Sequence, residues 1–397
     1  METIKEIYKI GQGPSSSHTM GPRKAAEQFL ARHPNDPKYR ITLFGSLAAT
    51  GKGHLTGEAI EEAFADKNME LVWEPTKFLA KHPNALTFES FDNDDNLIES
   101  WTAYSVGGGS IVDDNSELET ESIYGMTTMD DILAYCQTNN MRLWEYVEEC
   151  EGDEIWDYLK LVWETMVNSI KRGMEKEGIL PGQLKLTRKA PTFQSQSHNF
   201  SGPNQHRTLL FAYALAVNEE NASGGIISTA PTCGASGTLP AVLYYQKRLY
   251  KLKDSQILKA LATAGLIGNL VKWNASISGA EAGCQAEVGT GCAMASAAAT
   301  QLLGGTNYQI EYAAEMGLEH HLGLTCDPLY GLVQVPCIER NAFASSRALS
   351  HASYALLSDG RHVISFDKVV RTMKETGLDL PDLYKETSLG GLAIYGK

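Results

Sequence analysis

Strand-like alternation is confined to the first ~110 residues of this chain, and that asymmetry limits its architecture more than any other feature. Residues 40–47 (RITLFGSL) alternate apolar and polar side chains as a half-buried strand does. Residues 85–91 and 97–106 repeat the pattern and are joined by the turn-rich Asp92-Asn93-Asp94-Asp95-Asn96. Gly107-Gly108-Gly109 then breaks it. Residues 19–32 read as a helix, with Pro22 near the start and Ala25, Phe29 and Leu30 on one stripe; a shorter helix is expected over 58–64. Past Thr127 the period changes. Residues 129–138, 141–150 and 154–177 carry helical spacing, the last with Leu159, Val162, Trp163, Met166, Ile170 and Met174 on one side. From about Val167 onward no convincing strand is legible, and the helical stretches are rich in Ala and Gly, which let helices approach closely. The expected fold is an α+β N-terminal domain followed by an all-α C-terminal domain, divided as 1–125, a helical connector over 126–154, and 155–397.

A chain of 397 residues, 43% of them hydrophobic, has material for two cores. Its net charge of -14 argues against a non-specific nucleic-acid binder, which needs a basic face to displace counterions. The apolar stretch over 258–271 is interrupted by Lys259, Gly265, Gly268 and Asn269, so no membrane span is expected. METIKEIYKIGQG has no apolar signal region, and a cytoplasmic location is expected. Seven cysteines, an odd number, point away from a disulfide framework and leave metal binding, catalysis or plain burial.

Four segments carry chemistry. Ser15, Ser16, Ser17, His18 and Thr19 precede the first helix and offer hydroxyls and free N–H groups suited to a carboxylate; simple capping accounts for one hydroxyl only. Gly51-Lys52-Gly53-His54 follows a strand, with Lys52 able to bind an anion and His54 titrating where a general base should; an exposed turn is the plainer alternative. Cys284, Cys326 and Cys337 lie beside Gly and Pro, and thiolates suit iron–sulfur or zinc sites, although no CxxC is present and burial explains a single cysteine equally well. Cys136 and Cys150 read as incidental, Cys233 and Cys292 as packing or support. The glycine-rich run over 223–237 is either a phosphate cradle or, preferably, a cavity-lining connection between helices.

Taken together, GPSSSHTMGP (13–22), GSLAATGKGH (45–54), YSVGGG (104–109), ASGGIISTAPTCGASGTLPAVL (222–243), EAGCQAEVGTGCAMASAAA (281–299) and HHLGLTCDPLYGLVQVPCIERNA (320–342) closely resemble the bacterial iron–sulfur L-serine dehydratases, in order and over nearly the whole chain. The resemblance implies a single-chain enzyme with a β-type N-terminal and a helical α-type C-terminal domain, acting as a homodimer on L-serine. It implies a [4Fe–4S] cluster on Cys284, Cys326 and Cys337, His54 as the base with His18 assisting, and Ser15, Ser16, Ser17, Thr19 and Lys52 around the substrate. Three departures accompany it. The final residues, LGGLAIYGK, carry no cysteine, so self-inhibition by a tail cysteine is not expected, although Tyr395 or Lys397 can place the tail near the site. Cys233 and Ser236 stand where many relatives have Asn and Cys, and the N-terminal half is shorter than in many relatives, through 65–85. The competing readings are a pyridoxal-phosphate dehydratase, for which neither Lys52 nor Lys189 has a recognisable context, a hydro-lyase acting on another β-hydroxy amino acid such as threonine, and a non-enzymatic amino-acid sensor.

Overall fold

The computed structural model describes residues 1–115, 122–386 and 390–396. Strand β1 (Ile10–Gln12) leads into a π-helical turn, Ser16–Met20, which runs without a break into α1 (Gly21–Arg32). Then come β2 (Lys38–Phe44), α2 (Gly45–Thr50), α3 (Thr56–Ala63), β3 (Met69–Glu74), β4 (Ala85–Phe91), β5 (Leu97–Gly107) and β6 (Ser110–Asp113). The five strands after β1 form one sheet in the order β3-β2-β4-β5-β6, with β2–β3 parallel and the other pairs antiparallel. Ile41 stands opposite Leu71 and Phe88 in that register. Alternation along β2 turns Tyr39, Ile41 and Leu43 to a core shared with Phe29 of α1, Ile60 of α3 and Phe88 of β4. Phe88 stacks on both Phe29 (5.3 Å) and Trp101 (5.6 Å), which also stack on each other (6.4 Å).

The helix expected from residue 19 starts as regular α-helix at Gly21, because the serine-rich segment before it winds as the π turn. The strand expected to reach residue 47 ends at Phe44. Gly45 takes φ +51, where a Cβ would lie 2.7 Å from the Pro83 carbonyl oxygen, and the chain turns there into α2. Strand β3 was not anticipated; as an edge strand it buries no residue fully, so its alternation is weak.

The second half contains α4 (Met129–Thr138), α5 (Leu143–Glu151), α6 (Glu154–Glu175), α7 (Ala190–Ser197), α8 (Gly202–Ala222), α9 (Thr238–Tyr250), α10 (Asp254–Asn274), α11 (Gly279–Ala282), α12 (Thr290–Leu302), α13 (Asn307–Glu319), α14 (Cys337–Leu356) and α15 (Phe366–Asp379). The expectation of no strand past residue 167 is corrected by β7 (Ile226–Ser228), which pairs antiparallel with β1, Gly11 opposite Ile227. Three residues are too few to show alternation in a sequence. Every residue from Thr290 to Thr300 of α12 is buried among α9, α10, α13 and α14. Small side chains permit this: a Cβ on Gly317 of α13 would lie 2.7 Å from the Ala293 Cα.

The start of the chain belongs to this helical core rather than to the sheet. Met1, Ile4, Ile7 and Tyr8 are fully buried in it, and the Tyr8 hydroxyl donates to the Leu261 carbonyl at 2.7 Å. Among the described residues no helix is long and apolar enough to cross a membrane.

Close packing makes a test. A Cβ on Gly173 of α6 would stand 2.1 Å from the Ala216 carbonyl oxygen of α8, whereas one on Gly125 meets nothing within 4 Å. Gly173→Ala is expected to destabilise by about 2 kcal/mol or more despite its better helix propensity, and Gly125→Ala to stay within about 0.5 kcal/mol, read as denaturant midpoints.

Candidate active site

The serine-rich turn is held by its own side chains. Ser15 caps it, accepting from the His18 N–H at 3.1 Å, and its own N–H donates to Thr19 Oγ1 at 3.1 Å. Ser17 Oγ lies 2.9 Å from His18 Nδ1, and Ser16 lies beside the Cys233 thiol. Ser15, Ser16, Ser17, His18 and Thr19 are all buried.

The Gly51–His54 loop packs against this turn, and its glycines serve close approach. A Cβ on Gly51 would lie 2.2 Å from the Leu47 carbonyl oxygen, and one on Gly53 2.8 Å from that of Tyr330, in the helical half. Two threonines tie the segments reciprocally. Thr19 Oγ1 donates to the His54 carbonyl (2.7 Å), and Thr56 Oγ1 donates to the His18 carbonyl (2.6 Å). The histidine rings come to rest 4.5 Å apart between centroids. Burial lowers both: His18 falls well below its ordinary value, helped by His54 beside it, and His54 falls to about 4. Lys52, beside His54 in sequence, is exposed.

The three cysteines come from separate elements of the helical half. Cys284 precedes a second π-helical turn, Gln285–Gly289; Cys326 lies in the connection between α13 and α14; Cys337 opens α14. All three are buried, at 2%, 5% and 9% exposure; Cys326 feels both other thiols, and Cys337 feels Cys284. Burial pushes Cys284 up to about 11 and the other two well above the usual thiol value. Arg340, one turn after Cys337, donates to the Thr325 carbonyl at 2.6 Å, and its charge acts on Cys284 to hold that thiol's value down against burial. Glu287 accepts from Thr232 Oγ1 (2.9 Å) and from the Cys326 thiol (3.7 Å). A Cβ on Gly279 would crowd both Glu287 Oε2 (2.7 Å) and Cys326 Sγ (3.1 Å).

Glu386 joins the two halves. Its N–H donates to the Cys326 carbonyl at 2.7 Å, while its carboxyl stands 3.9 Å from His54 Nε2. Burial, with Glu287 adding to it, raises Glu386 to about 8. Beyond it, the Leu392 N–H donates to Asp327 Oδ2 at 2.6 Å, so the final described residues lie against the Cys326–Asp327 loop. Tyr395 is 82% exposed, and Lys397 lies outside the described residues.

The structure thus gathers Ser15, Ser16, Ser17, His18, Thr19 and His54 on one side and Cys284, Cys326 and Cys337 on the other, and leaves Lys52 in solvent. Thr19 already spends its hydroxyl on two protein groups. Glu287, Arg340, Glu386, Ser46 and Thr50 escaped the sequence reading. Glu287 and Arg340 each follow a cysteine by three residues, one helical turn, and that spacing was a usable signal. Nothing local marks Glu386. The run over 223–237 connects α8 to α9 through β7 and delivers Thr232 and Cys233 to the site.

Three buried soft thiols with a guanidinium beside them match the donor chemistry of an iron–sulfur cluster. Among the described residues no three His, Cys, Asp or Glu groups converge as ligands of a single ion would. A multi-iron cluster takes its thiolates on different irons and does not require that convergence.

The profile of the serine dehydratase alpha chain matches residues 81–393, and that of the serine dehydratase beta chain matches residues 3–64. The chain belongs to the serine dehydratase family. It is 40% identical to the L-serine dehydratase of Streptomyces coelicolor over 448 aligned residues, covering 99% of this chain and 98% of that one. It is 40% identical to L-serine dehydratase 1 of Escherichia coli (99% of each chain) and 39% identical to the L-serine dehydratase of Haemophilus influenzae (99% of each). An alignment of 448 positions against 397 residues makes this chain shorter than the Streptomyces relative, and residues 65–80 fall between the two matched profiles.

A second histidine group sits among α12, α13 and α14. His351 Nε2 lies 2.9 Å from His320 Nδ1, and His321 Nδ1 lies 2.8 Å from the Gly317 carbonyl. Burial, with His320, His321 and Arg347 adding to it, lowers His351 to about 3; burial lowers His321 to about 4. A histidine whose folded value is depressed stabilises fully above its unfolded value near 6.5 and loses that contribution as pH falls toward the folded value. His54, His321 and His351 should each remove about 2 kcal/mol between pH 7.5 and 5. A denaturant midpoint that stays constant over that interval would contradict these burials.

Proposed function

We propose that this protein is an L-serine dehydratase that eliminates water from L-serine, giving pyruvate and ammonia, with a [4Fe–4S] cluster held by Cys284, Cys326 and Cys337. The observation that carries the reading is the juxtaposition through Glu386: a buried imidazole whose Nε2 has no hydrogen-bond partner faces the carboxyl of a residue whose backbone N–H is anchored on the Cys326 carbonyl. When bound, a cluster with three protein thiolates offers one iron as a Lewis acid, which eases departure of hydroxide.

The chain's own residues supply the rest. Ser15, Ser16 and Ser17 stand at the π turn where hydroxyls and N–H groups can bind the substrate carboxylate. His54 takes the α-proton at Nε2, its depressed value keeping it unprotonated at neutral pH. His18 packs against it as a neutral wall. Burial of the whole group excludes bulk water from the proton transfer. The aminoacrylate so formed tautomerises and hydrolyses outside any further catalysis, regaining the water lost in elimination. Assembly as a homodimer in the cytoplasm belongs to the same reading and is checked by sedimentation.

Protein reconstituted without oxygen should release pyruvate from L-serine and lose that activity as its brown absorption bleaches in air. Cys326→Ala should abolish both absorption and turnover. His54→Ala should keep the absorption and slow turnover by about 10²–10⁴-fold. Pyruvate from colourless, iron-free protein would overturn the cluster, and none from a fully formed cluster would overturn the substrate.

A further inference from the structure

One short helix holds the two histidines in different ways. Ser46 and Thr50 lie four residues apart on α2, on one face. Ser46 Oγ is 3.0 Å from His18 Nε2, and Thr50 Oγ1 is 3.2 Å from His54 Nδ1. With Ser17 on its other nitrogen, His18 has both ring positions occupied. His54 has one.

The Thr50 hydroxyl has a single proton, and it donates that proton to the Ser46 carbonyl at 2.9 Å. Toward His54 it can therefore only accept. His54 Nδ1 must carry the ring hydrogen, which leaves the lone pair on Nε2. The Nε2 atom is buried and without a hydrogen-bond partner, and the Glu386 carboxyl is 3.9 Å away. At 3.9 Å that carboxyl makes no hydrogen bond to Nε2, so the ring's hydrogen-bonded contacts are with Thr50 alone.

We propose that Thr50 is a positioning residue that selects the His54 tautomer whose Nε2 accepts the substrate's α-proton. The proposal rests on the reading of the chain as an L-serine dehydratase with His54 as base. Thr50→Val keeps the shape and removes the hydroxyl acceptor, leaving Nδ1–H only the Thr50 backbone carbonyl; that weaker hold lets the ring hydrogen shift toward Nε2, where no proton can then be taken up. Thr50→Ser restores the oxygen.

The test uses the cluster-loaded enzyme with L-serine and with α-deuterated L-serine. Thr50→Val should lower kcat by about 10–100-fold with KM and cluster absorption unchanged, and the isotope effect on kcat should rise as proton removal becomes limiting. Thr50→Ser should recover kcat to within about threefold. Unchanged kcat and isotope effect in Thr50→Val would overturn the proposal, as would a loss that tracks cluster absorption with no change in isotope effect, since that is a structural defect. Histidine-ring nitrogen NMR, with His54 assigned by His54→Gln, reads the tautomer independently of turnover. Hydrogen on Nδ1 in the unaltered protein and on Nε2 in Thr50→Val is expected, and the same tautomer in both would overturn the role of Thr50 even if the substrate assignment failed.

Discussion

The helical half depends on enclosing α12 on every side. Its buried run from Thr290 to Thr300 contains nothing larger than Met294, so neighbouring backbones approach to distances that admit no extra methyl group. The elements that meet its N-terminal end thereby lose freedom together. Cys284 is joined to α12 through the π turn Gln285–Gly289, where a Cβ on Gly289 would stand 2.9 Å from His321 Cβ. Cys337 opens α14, which packs along α12, and Cys326 lies in the connection from α13, which packs on α12 as well. Three cysteines far apart in sequence are in this way tied to one rigid element.

The histidine side is rigid for a different reason: hydrogen bonds between short segments that lack a core of their own. The Thr19 and Thr56 hydroxyls each donate to the carbonyl of the histidine on the opposite segment, so neither the π turn nor the Gly51–His54 loop can shift alone. Buried backbone carbonyls need such partners, and side-chain hydroxyls supply them where no strand or helix does. The π geometry of Ser16–Met20 belongs to this arrangement, since it widens one turn and places Ser17 and His18 side by side before regular helix resumes.

Legibility from sequence follows the same division. Periodic features read well: β4, α4 and α6 lie where alternation or helical spacing put them, because one face of each is buried along its length, and β5 was legible although Leu97–Ser100 are exposed. Strands β1 and β7 were invisible, having three residues each, and β3 was faint because it lies at a sheet edge. At the site, the clustered serines, His18, His54 and the cysteines stood out by chemical type. Ser46 and Thr50 did not, because in a short helix they pass for ordinary surface residues, and only the fold brings histidines against them. Glu386 was equally silent, since its place is set by backbone pairing of the 384–386 segment with Cys326.

The route of the chain explains how two separately packed halves can share one site. The first residues are stapled into the helical core by Tyr8 on Leu261 and by β1 on β7, and the chain then crosses to the sheet through the serine-rich turn. At the crossing, Asn221 Nδ2 donates to the Pro14 carbonyl at 2.9 Å, and a Cβ on Gly13 would lie 2.2 Å from Asn221 Oδ1. The turn bearing His18 is therefore anchored to α8 of the helical half at one end, and it continues as α1 of the sheet half at the other. Any displacement of the sheet relative to the helices must first deform this turn. His18 sits on it, and the threonine clasp carries that constraint onward to His54.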